Sequence, residues 1–223
     1  MNFSLQHVLL VPSMKNILIA DDHSLIRSGL RMVLDGMPLT TEISEAWDAR
    51  SVMAKMKEKP FDLVLLDIQM PATDSVVLMH WIQSFYTDTK ILIVSQNPEI
   101  TYGKRYIQLG ANGFINKIAP DEEMIKAITR VLNGQTYVSE ELSQSIVVGA
   151  LNSASANPFD QLSQREFQVV ICLAKGYSIN EVCDMLQVQY STAHTHKRRA
   201  FEKLNIEDNK ALAQLAGAYD LLN

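Results

Sequence analysis

The chain has 223 residues, of which 47% are hydrophobic and 20% are charged, and its formal net charge is -5. This composition excludes an intrinsically disordered chain, and the negative charge argues against indiscriminate nucleic-acid binding by the whole molecule. No run of about eighteen apolar residues occurs, and the first residues lack a signal-peptide pattern, so we expect no membrane span and a cytoplasmic location. Cys172 and Cys183 occupy apolar positions of helical segments, which favours buried, reduced thiols over a disulfide or a metal site.

Residues 14–135 alternate short apolar runs with amphipathic stretches, the pattern of a parallel sheet covered by helices on both faces. Four apolar runs and one weaker run predict the strands: Ile17–Ala20, Leu63–Leu66, Ile91–Val94, Gly113–Ile115 and, more weakly, Thr40–Ile43. The stretch Lys126–Leu132 predicts the last helix, which ends at Asn133-Gly134. We therefore predict a doubly wound α/β domain with a five-stranded parallel sheet.

The remainder of the chain divides into three segments. Residues 1–13 form an N-terminal extension to which the pattern assigns no role. Residues 136–157 predict a linker that contains one helix at 139–151 and ends in a small, polar run. Residues 158–223 show no strand pattern and predict a small all-α domain with helices at 163–175, 178–186, 190–204 and 209–220. Ser163 and Glu166 have capping-box spacing at the start of the first of these four helices.

Polar residues follow the predicted strands at the points where the strands end. Asp21 and Asp22 follow the first strand, and Asp67, Ser95 and Lys117 come after the other strongly apolar runs. Because ligands bind beyond the carboxyl ends of parallel strands, we expect these side chains to share one pocket. Three carboxylates together require a compensating cation, and oxygen ligands favour Mg²⁺. With Mg²⁺ present, Asp67 is the best candidate for a carboxylate that attacks phosphorus, because its loop would project it centrally.

The motifs ADDH, LLDIQMP, IVS and GFINK, in this order and spacing, resemble the receiver domain of bacterial two-component response regulators over residues 14–135. The resemblance implies a flavodoxin-like fold in which Asp67 accepts a phosphoryl group from a sensor histidine kinase. The metal ligands that it implies are Asp22, Asp67, the main-chain carbonyl of Gln69 and, through water, Asp21. The phosphate-contacting and switch residues that it implies are Ser95, Lys117 and Phe114.

Two residues depart from the receiver pattern. Ser75 stands where the family usually has glycine, and Gln96 follows Ser95 where a small residue is usual. Ser75 loses glycine's access to positive φ, and Gln96 is bulky beside the expected phosphorylation pocket. These departures keep open an atypical, phosphorylation-independent DNA-binding regulator with a receiver-like interaction domain. A Mg²⁺-dependent phosphohydrolase is a further alternative, against which stands Gln69 in the place of a second acid two residues after Asp67.

The C-terminal helices contain the pattern of a helix-turn-helix, with a short Gly176-Tyr-Ser178 link after the first helix. The stretch YSTAHTHKRRAFEKL, residues 190–204, is the predicted recognition helix. Its inward face includes His196. Residues 158–223 resemble the LuxR-type DNA-binding domain, and a receiver domain joined to this domain is the architecture of the NarL/FixJ family. The resemblance implies a hydrogen-bonded structural role for His196.

This second resemblance implies residues for DNA binding and for dimerisation. It implies that His194, Thr195 and Arg198 contact bases in the major groove. Arg198 is the best candidate to recognise guanine, because its guanidinium can bind guanine O6 and N7 together. The other candidate DNA contacts are Lys197, Arg199, Ser191, Thr192 and Lys203. The implied dimer contact is an apolar stripe that first serves to pack the small domain: Ala211, Leu212, Leu215 and Tyr219. The sequence thus predicts a phosphorylation-controlled transcription regulator that binds double-stranded DNA as a homodimer, with at most slow self-dephosphorylation as catalysis.

Overall fold

A computed structural model of the chain describes residues 14–71, 73–151, 157–219 and 221–222. The predicted extension at 1–13 and residues 152–156 of the predicted linker lie outside the described residues. Within the described ranges, no helix is long and apolar enough to cross a lipid bilayer.

Five strands form one parallel sheet in the spatial order β2-β1-β3-β4-β5. The strands are β1 (Lys15–Ala20), β2 (Thr41–Ala46), β3 (Leu63–Leu66), β4 (Lys90–Ser95) and β5 (Gly113–Asn116). This arrangement confirms the predicted five-stranded parallel sheet. β2 extends three residues beyond its predicted run, because Ser44 and Glu45 of this edge strand interrupt the apolar pattern without interrupting the pairing with β1.

Five helices cover the two faces of the sheet: α1 (Ser24–Asp35), α2 (Ala49–Glu58), α3 (Ser75–Phe85), α4 (Glu99–Gln108) and α5 (Asp121–Leu132). Helices α1 and α5 pack on one face, and α2, α3 and α4 pack on the other. Successive residues of β1 therefore enter opposite cores, and Ile19 and Ala20 are both fully buried. α5 begins five residues before the predicted start, because its first turn is acidic rather than apolar; acidic residues suit a helix N-terminus.

The chain continues with α6 (Glu140–Leu151), a short 3-10 helix (Pro158–Gln161) and then α7 (Gln164–Ala174), α8 (Ile179–Leu186), α9 (Tyr190–Leu204) and α10 (Asn209–Ala218). The helix in the linker and the four C-terminal helices confirm the predicted elements, and their ends lie within two residues of the predicted bounds. The predicted capping box of Ser163 and Glu166 starts α7, and Ser178 caps α8 in the same way. The 3-10 helix was missed, because a segment of four residues carries no measurable periodicity.

The burial of β3 gives a direct test of the sheet. Leu65 is almost completely buried at the centre of the sheet, whereas Met32 on α1 is 75% exposed. We expect Leu65→Ala to lower the free energy of unfolding by about 2–5 kcal/mol, through lost burial and the cavity left behind. The control Met32→Ala should change it by less than about 0.5 kcal/mol. Urea denaturation followed by circular dichroism measures both values, and equal losses would contradict the position of β3.

Candidate functional site

Two buried carboxylates and one buried ammonium group meet at the carboxyl edge of the sheet. Asp21 follows β1, Asp67 follows β3 and Lys117 follows β5. The Lys117 Nζ atom lies 2.6 Å from Asp21 Oδ2 and 2.8 Å from Asp67 Oδ2. Asp21 and Asp67 are only 1% and 2% exposed. The structure thus brings together three of the five side chains that the strand ends predicted to share a pocket.

Burial and charge pairing act against each other in this site. Burial raises the pKa of the Asp67 carboxyl, and the hydrogen bond and charge of Lys117 oppose that rise without cancelling it. Burial would also lower the pKa of Lys117, but its close ion pairs with the Asp21 and Asp67 carboxylates outweigh burial, and the pKa is raised. Lys117 therefore stays protonated at neutral pH and supplies the positive charge that lets two carboxylates lie side by side.

The carboxylates also form a cluster suited to a cation. Ligand atoms of Asp21, Asp22, His23 and Asp67 lie within 4.8 Å of one another. Among the described residues, the buried atoms Asp21 Oδ2 and Asp22 Oδ1 receive no hydrogen bond of good geometry, although Lys117 and His23 lie close to them. Oxygen atoms with free lone pairs in a cleft fit a hard divalent cation such as Mg²⁺. His23 was not predicted here, and its position directly after Asp22 is the only sequence signal for it.

The remaining predicted site residues of the receiver domain lie after β3, at the end of β4 and on β5. The backbone N–H of Gln69 donates to Asp67 Oδ1 at 3.1 Å, which holds the loop after β3 against the carboxylate. Ser95 is fully buried at the end of β4, and its Oγ accepts a hydrogen bond from the Asn97 N–H at 3.1 Å. Phe114 is fully buried on β5, and its ring centroid lies 6.3 Å from that of Tyr106 on α4.

A second polar surface lies on α9, away from the sheet. Its exposed or half-exposed side chains include those that the sequence assigned to DNA: Ser191, Thr192, His194, Thr195, Lys197, Arg198, Arg199 and Lys203. Arg198 Nη1 lies 2.9 Å from Glu202 Oε1, in an ion pair in which both side chains are more than half exposed. The opposite face of the helix buries Ala193, Ala200 and Leu204 against the other C-terminal helices.

Comparison with known proteins decides the family. Residues 17–129 match the response regulator receiver domain, and residues 160–216 match the bacterial regulatory proteins of the luxR family. The chain is a response regulator. It is 29% identical over 211 residues to the response regulator UvrY of Escherichia coli, covering 94% of this chain and 97% of UvrY. It is 33% identical over 208 residues to the oxygen regulatory protein NreC of Staphylococcus epidermidis, covering 90% of this chain and 95% of NreC.

Solved structures show the same fold. A structure of the RcsB response regulator of Salmonella typhimurium superposes with a TM-score of 0.69 at 22% identity, covering 92% of this chain and 98% of that chain. RcsB of Salmonella enterica serovar Typhimurium bound to the promoter rprA gives a TM-score of 0.67 at 21% identity, covering 91% of this chain and 98% of that chain. The combination of receiver and LuxR-type domains makes this response regulator a phosphorylation-controlled, DNA-binding transcription regulator.

The receiver domain accommodates Ser75 without strain. Ser75 is the first residue of α3, and the non-glycine residues with positive φ in the described ranges are Gln187 and Asn205. The position therefore does not need glycine's conformational freedom. Gln96 is exposed beside the buried Ser95.

Three details of the DNA-binding domain refine the sequence interpretation. His196 was predicted to be hydrogen-bonded, but its buried Nδ1 atom has no partner in the described part of the chain, and burial lowers the pKa of the imidazole. Lys203, a predicted DNA contact, is exposed, and its Nζ lies 2.6 Å from the buried Glu166, which joins α9 to α7. Leu212 is fully buried and packs the domain core, so of the predicted dimer stripe only Ala211, Leu215 and Tyr219 keep exposed surface.

The ion pairs of Lys117 can be tested by their effect on stability. We expect Lys117→Met to lower the free energy of unfolding by about 3–5 kcal/mol, because Asp21 and Asp67 are then buried without a cation. Asp67→Asn introduced into this variant should restore part of the loss. The control is Lys126→Met at an exposed lysine that pairs with Glu123 on the same helix; it should change stability by less than about 1 kcal/mol.

Urea denaturation in Mg²⁺-free buffer measures the four proteins of this double-mutant cycle. If the changes in the free energy of unfolding caused by Lys117→Met and Asp67→Asn are additive, the two side chains do not interact, which would contradict the buried ion pair.

Proposed function

We propose that Asp67 accepts a phosphoryl group from a sensor histidine kinase, and that this modification controls how α9 engages DNA. The observation that carries the proposal is the contact of Lys117 Nζ with both buried carboxylates at the sheet edge. In the transfer, an Asp67 carboxylate oxygen bonds to phosphorus while the bond from phosphorus to the kinase histidine nitrogen breaks, and the histidine keeps the electron pair. The product is an acyl phosphate on Asp67.

The residues around Asp67 have separate tasks in this transfer. Lys117, already paired with Asp67, is placed to donate to the phosphoryl oxygens, where it would balance the added negative charge. The Ser95 hydroxyl lies at the end of the neighbouring strand and can donate to the same group. Phe114, fully buried on β5, is the aromatic residue expected to respond to it.

The cation belongs to the same proposal. The residues that would hold Mg²⁺ are Asp22, Asp67 and the main-chain carbonyl of Gln69, with Asp21 acting through water because its carboxylate is already paired with Lys117. The bound ion neutralises charge on the carboxylates and on the phosphoryl oxygens. The cluster of carboxylate oxygens formed by Asp21, Asp22 and Asp67 supports this assignment.

For DNA binding, we assign base reading in the major groove to Arg198, His194 and Thr195, and backbone contacts to their polar neighbours on α9. Arg198 must leave Glu202 to reach a guanine, and this exchange costs little because exposed ion pairs are weak. The DNA-binding domain carries slightly more acidic than basic residues, with seven Lys and Arg against eight Asp and Glu in residues 157–223. Stable binding therefore calls for a homodimer that places two α9 helices on half-sites one helical turn apart, in the cytoplasm where DNA and kinase are both available.

The phosphoacceptor is tested by mass spectrometry of the intact protein after treatment with acetyl phosphate and Mg²⁺. We expect the wild type to gain the mass of one phosphoryl group and Asp67→Asn to gain none. Asp35→Asn, at the exposed end of α1, removes a carboxylate elsewhere and should label like the wild type. A wild type that binds DNA but takes up no phosphoryl group would instead support the phosphorylation-independent regulator.

The role of Arg198 is tested on DNA selected from a random library by the full-length protein. Arg198→Ala should lose about 1–3 kcal/mol of binding free energy and relax the preference at one base position of each half-site. Glu202→Gln frees Arg198 and removes a negative charge near the phosphates, so its binding should tighten by up to about fivefold. Lys210→Ala, on α10, is the control for loss of a positive charge. If Arg198→Ala lowers the affinity for all DNA sequences equally, Arg198 contacts the DNA backbone and does not read a base.

A further inference from the structure

The helical domain is docked against α4 of the receiver domain. Arg105 on α4 donates from Nη1 to the Leu162 carbonyl and from Nη2 to the Phe159 carbonyl, both at 2.8 Å. Its guanidinium also lies 4.3 Å from the centroid of the Phe167 ring, against which the Tyr102 ring packs edge-on. A charged group that holds two backbone carbonyls fixes the position of the docked domain more strongly than apolar packing alone would.

A chain of buried hydroxyl and amide groups crosses this interface at Tyr106. The Tyr106 hydroxyl lies 2.9 Å from Ser75 Oγ, at the start of α3, and accepts from Gln164 Nε2 at 3.3 Å, at the start of α7. Tyr106 is 1% exposed, and burial raises the pKa of its hydroxyl to about 12, so the group remains neutral and can bond to both partners.

A second link runs beside the first. Asp74 caps α3 with its Oδ1 atom, while its Oδ2 atom lies 2.7 Å from Arg165 Nη2. The two links start from the consecutive residues Asp74 and Ser75, where the chain from Asp67 enters α3. They end at Gln164 and Arg165, the first two residues of α7. The start of α7 therefore contacts the segment that follows the proposed phosphorylation site directly in the chain.

We infer that Tyr106 is a positioning residue that couples the β3–α3 loop to the docking of the DNA-binding domain. Movement of this loop displaces Ser75, the Ser75–Tyr106–Gln164 chain breaks, and α7 leaves α4. Hydrogen bonds weaken steeply with small changes of distance and angle, so a shift of the helix start is enough to open a buried chain of this kind. The Tyr106 ring also packs near Phe114, which gives the same side chain a contact on the strand beside the site.

The docked arrangement leaves the DNA-binding face of α9 open, since Arg198 is 66% exposed. The coupling therefore acts on the orientation of the helical domain, and through it on the pairing of two domains, rather than by covering the recognition helix.

The test without a phosphodonor is hydrogen exchange of backbone amides in residues 158–175 of the full-length protein. Tyr106→Phe keeps the ring and removes only the hydroxyl, and we expect exchange to accelerate by about two- to tenfold. Ser75→Ala should give a smaller acceleration in the same segment. Tyr102→Phe is the matched control. It also removes a hydroxyl from α4 at this interface, but the Tyr102 hydroxyl makes no hydrogen bond within the described ranges. The amides of residues 158–175 should therefore exchange in Tyr102→Phe as they do in the wild type. Equal exchange in Tyr106→Phe and Tyr102→Phe would overturn the inference.

The test of coupling, which depends on the proposed function, repeats the exchange with acetyl phosphate and Mg²⁺ after mass spectrometry shows equal phosphorylation of each protein. We expect phosphorylation to accelerate amide exchange of residues 158–175 in the wild type and in Tyr102→Phe. In Tyr106→Phe, the acceleration caused by phosphorylation should be at most half of that in the wild type. Equal acceleration in all three proteins would overturn the coupling. Failure of the wild type to phosphorylate would instead count against the proposed function, while the first test would still decide the docking role of Tyr106.

Discussion

The contact of one lysine with two buried aspartates is the constraint on which this protein depends. Asp21 and Asp67 could not both lie ionised at the end of a covered sheet without Lys117, because like charges at low dielectric repel strongly. Lys117 pairs with both carboxylates, and ligand atoms of Asp21, Asp22, His23 and Asp67 lie within 4.8 Å of one another. The lysine thus compensates the buried carboxylates, while the carboxylate cluster has the chemistry that suits a hard divalent cation.

The parallel sheet produces this contact through its connectivity. β1, β3 and β5 are separated by helices in the chain, yet their carboxyl ends lie at one edge, so residues up to 96 positions apart meet within a hydrogen bond's length. The same edge delivers the loop that leads to α3. Ser75 and Asp74 at the start of α3 contact α4 and α7, so the local geometry of the site is continuous with the domain interface.

The DNA-binding domain shows how a domain with little net charge can still present a basic recognition helix. Three of its cations are engaged within the domain: Lys203 pairs with the buried Glu166, Lys197 lies over the Phe201 ring, and Arg198 pairs with the exposed Glu202. Arg198 and Arg199 remain exposed on the outer face. With so few free cations, a single domain has limited affinity for phosphates, and two domains held in register become the natural unit of binding.

The sequence by itself determined the five strands, their alternation with helices, the capping box of Ser163 and Glu166 and the polar residues that end the strands, because periodicity and capping are local properties of the chain. It also indicated the receiver and LuxR-type domains through their motifs. Only the tertiary structure decided which partners those residues find. Several features join residues on different elements or depend on how elements pack: the ion pair of Lys203, the burial of Leu212, the bond from Tyr106 to Ser75, and the Nδ1 of His196, which has no partner among the described residues. No spacing within a single helix or strand encodes such contacts, since they arise only when the elements meet.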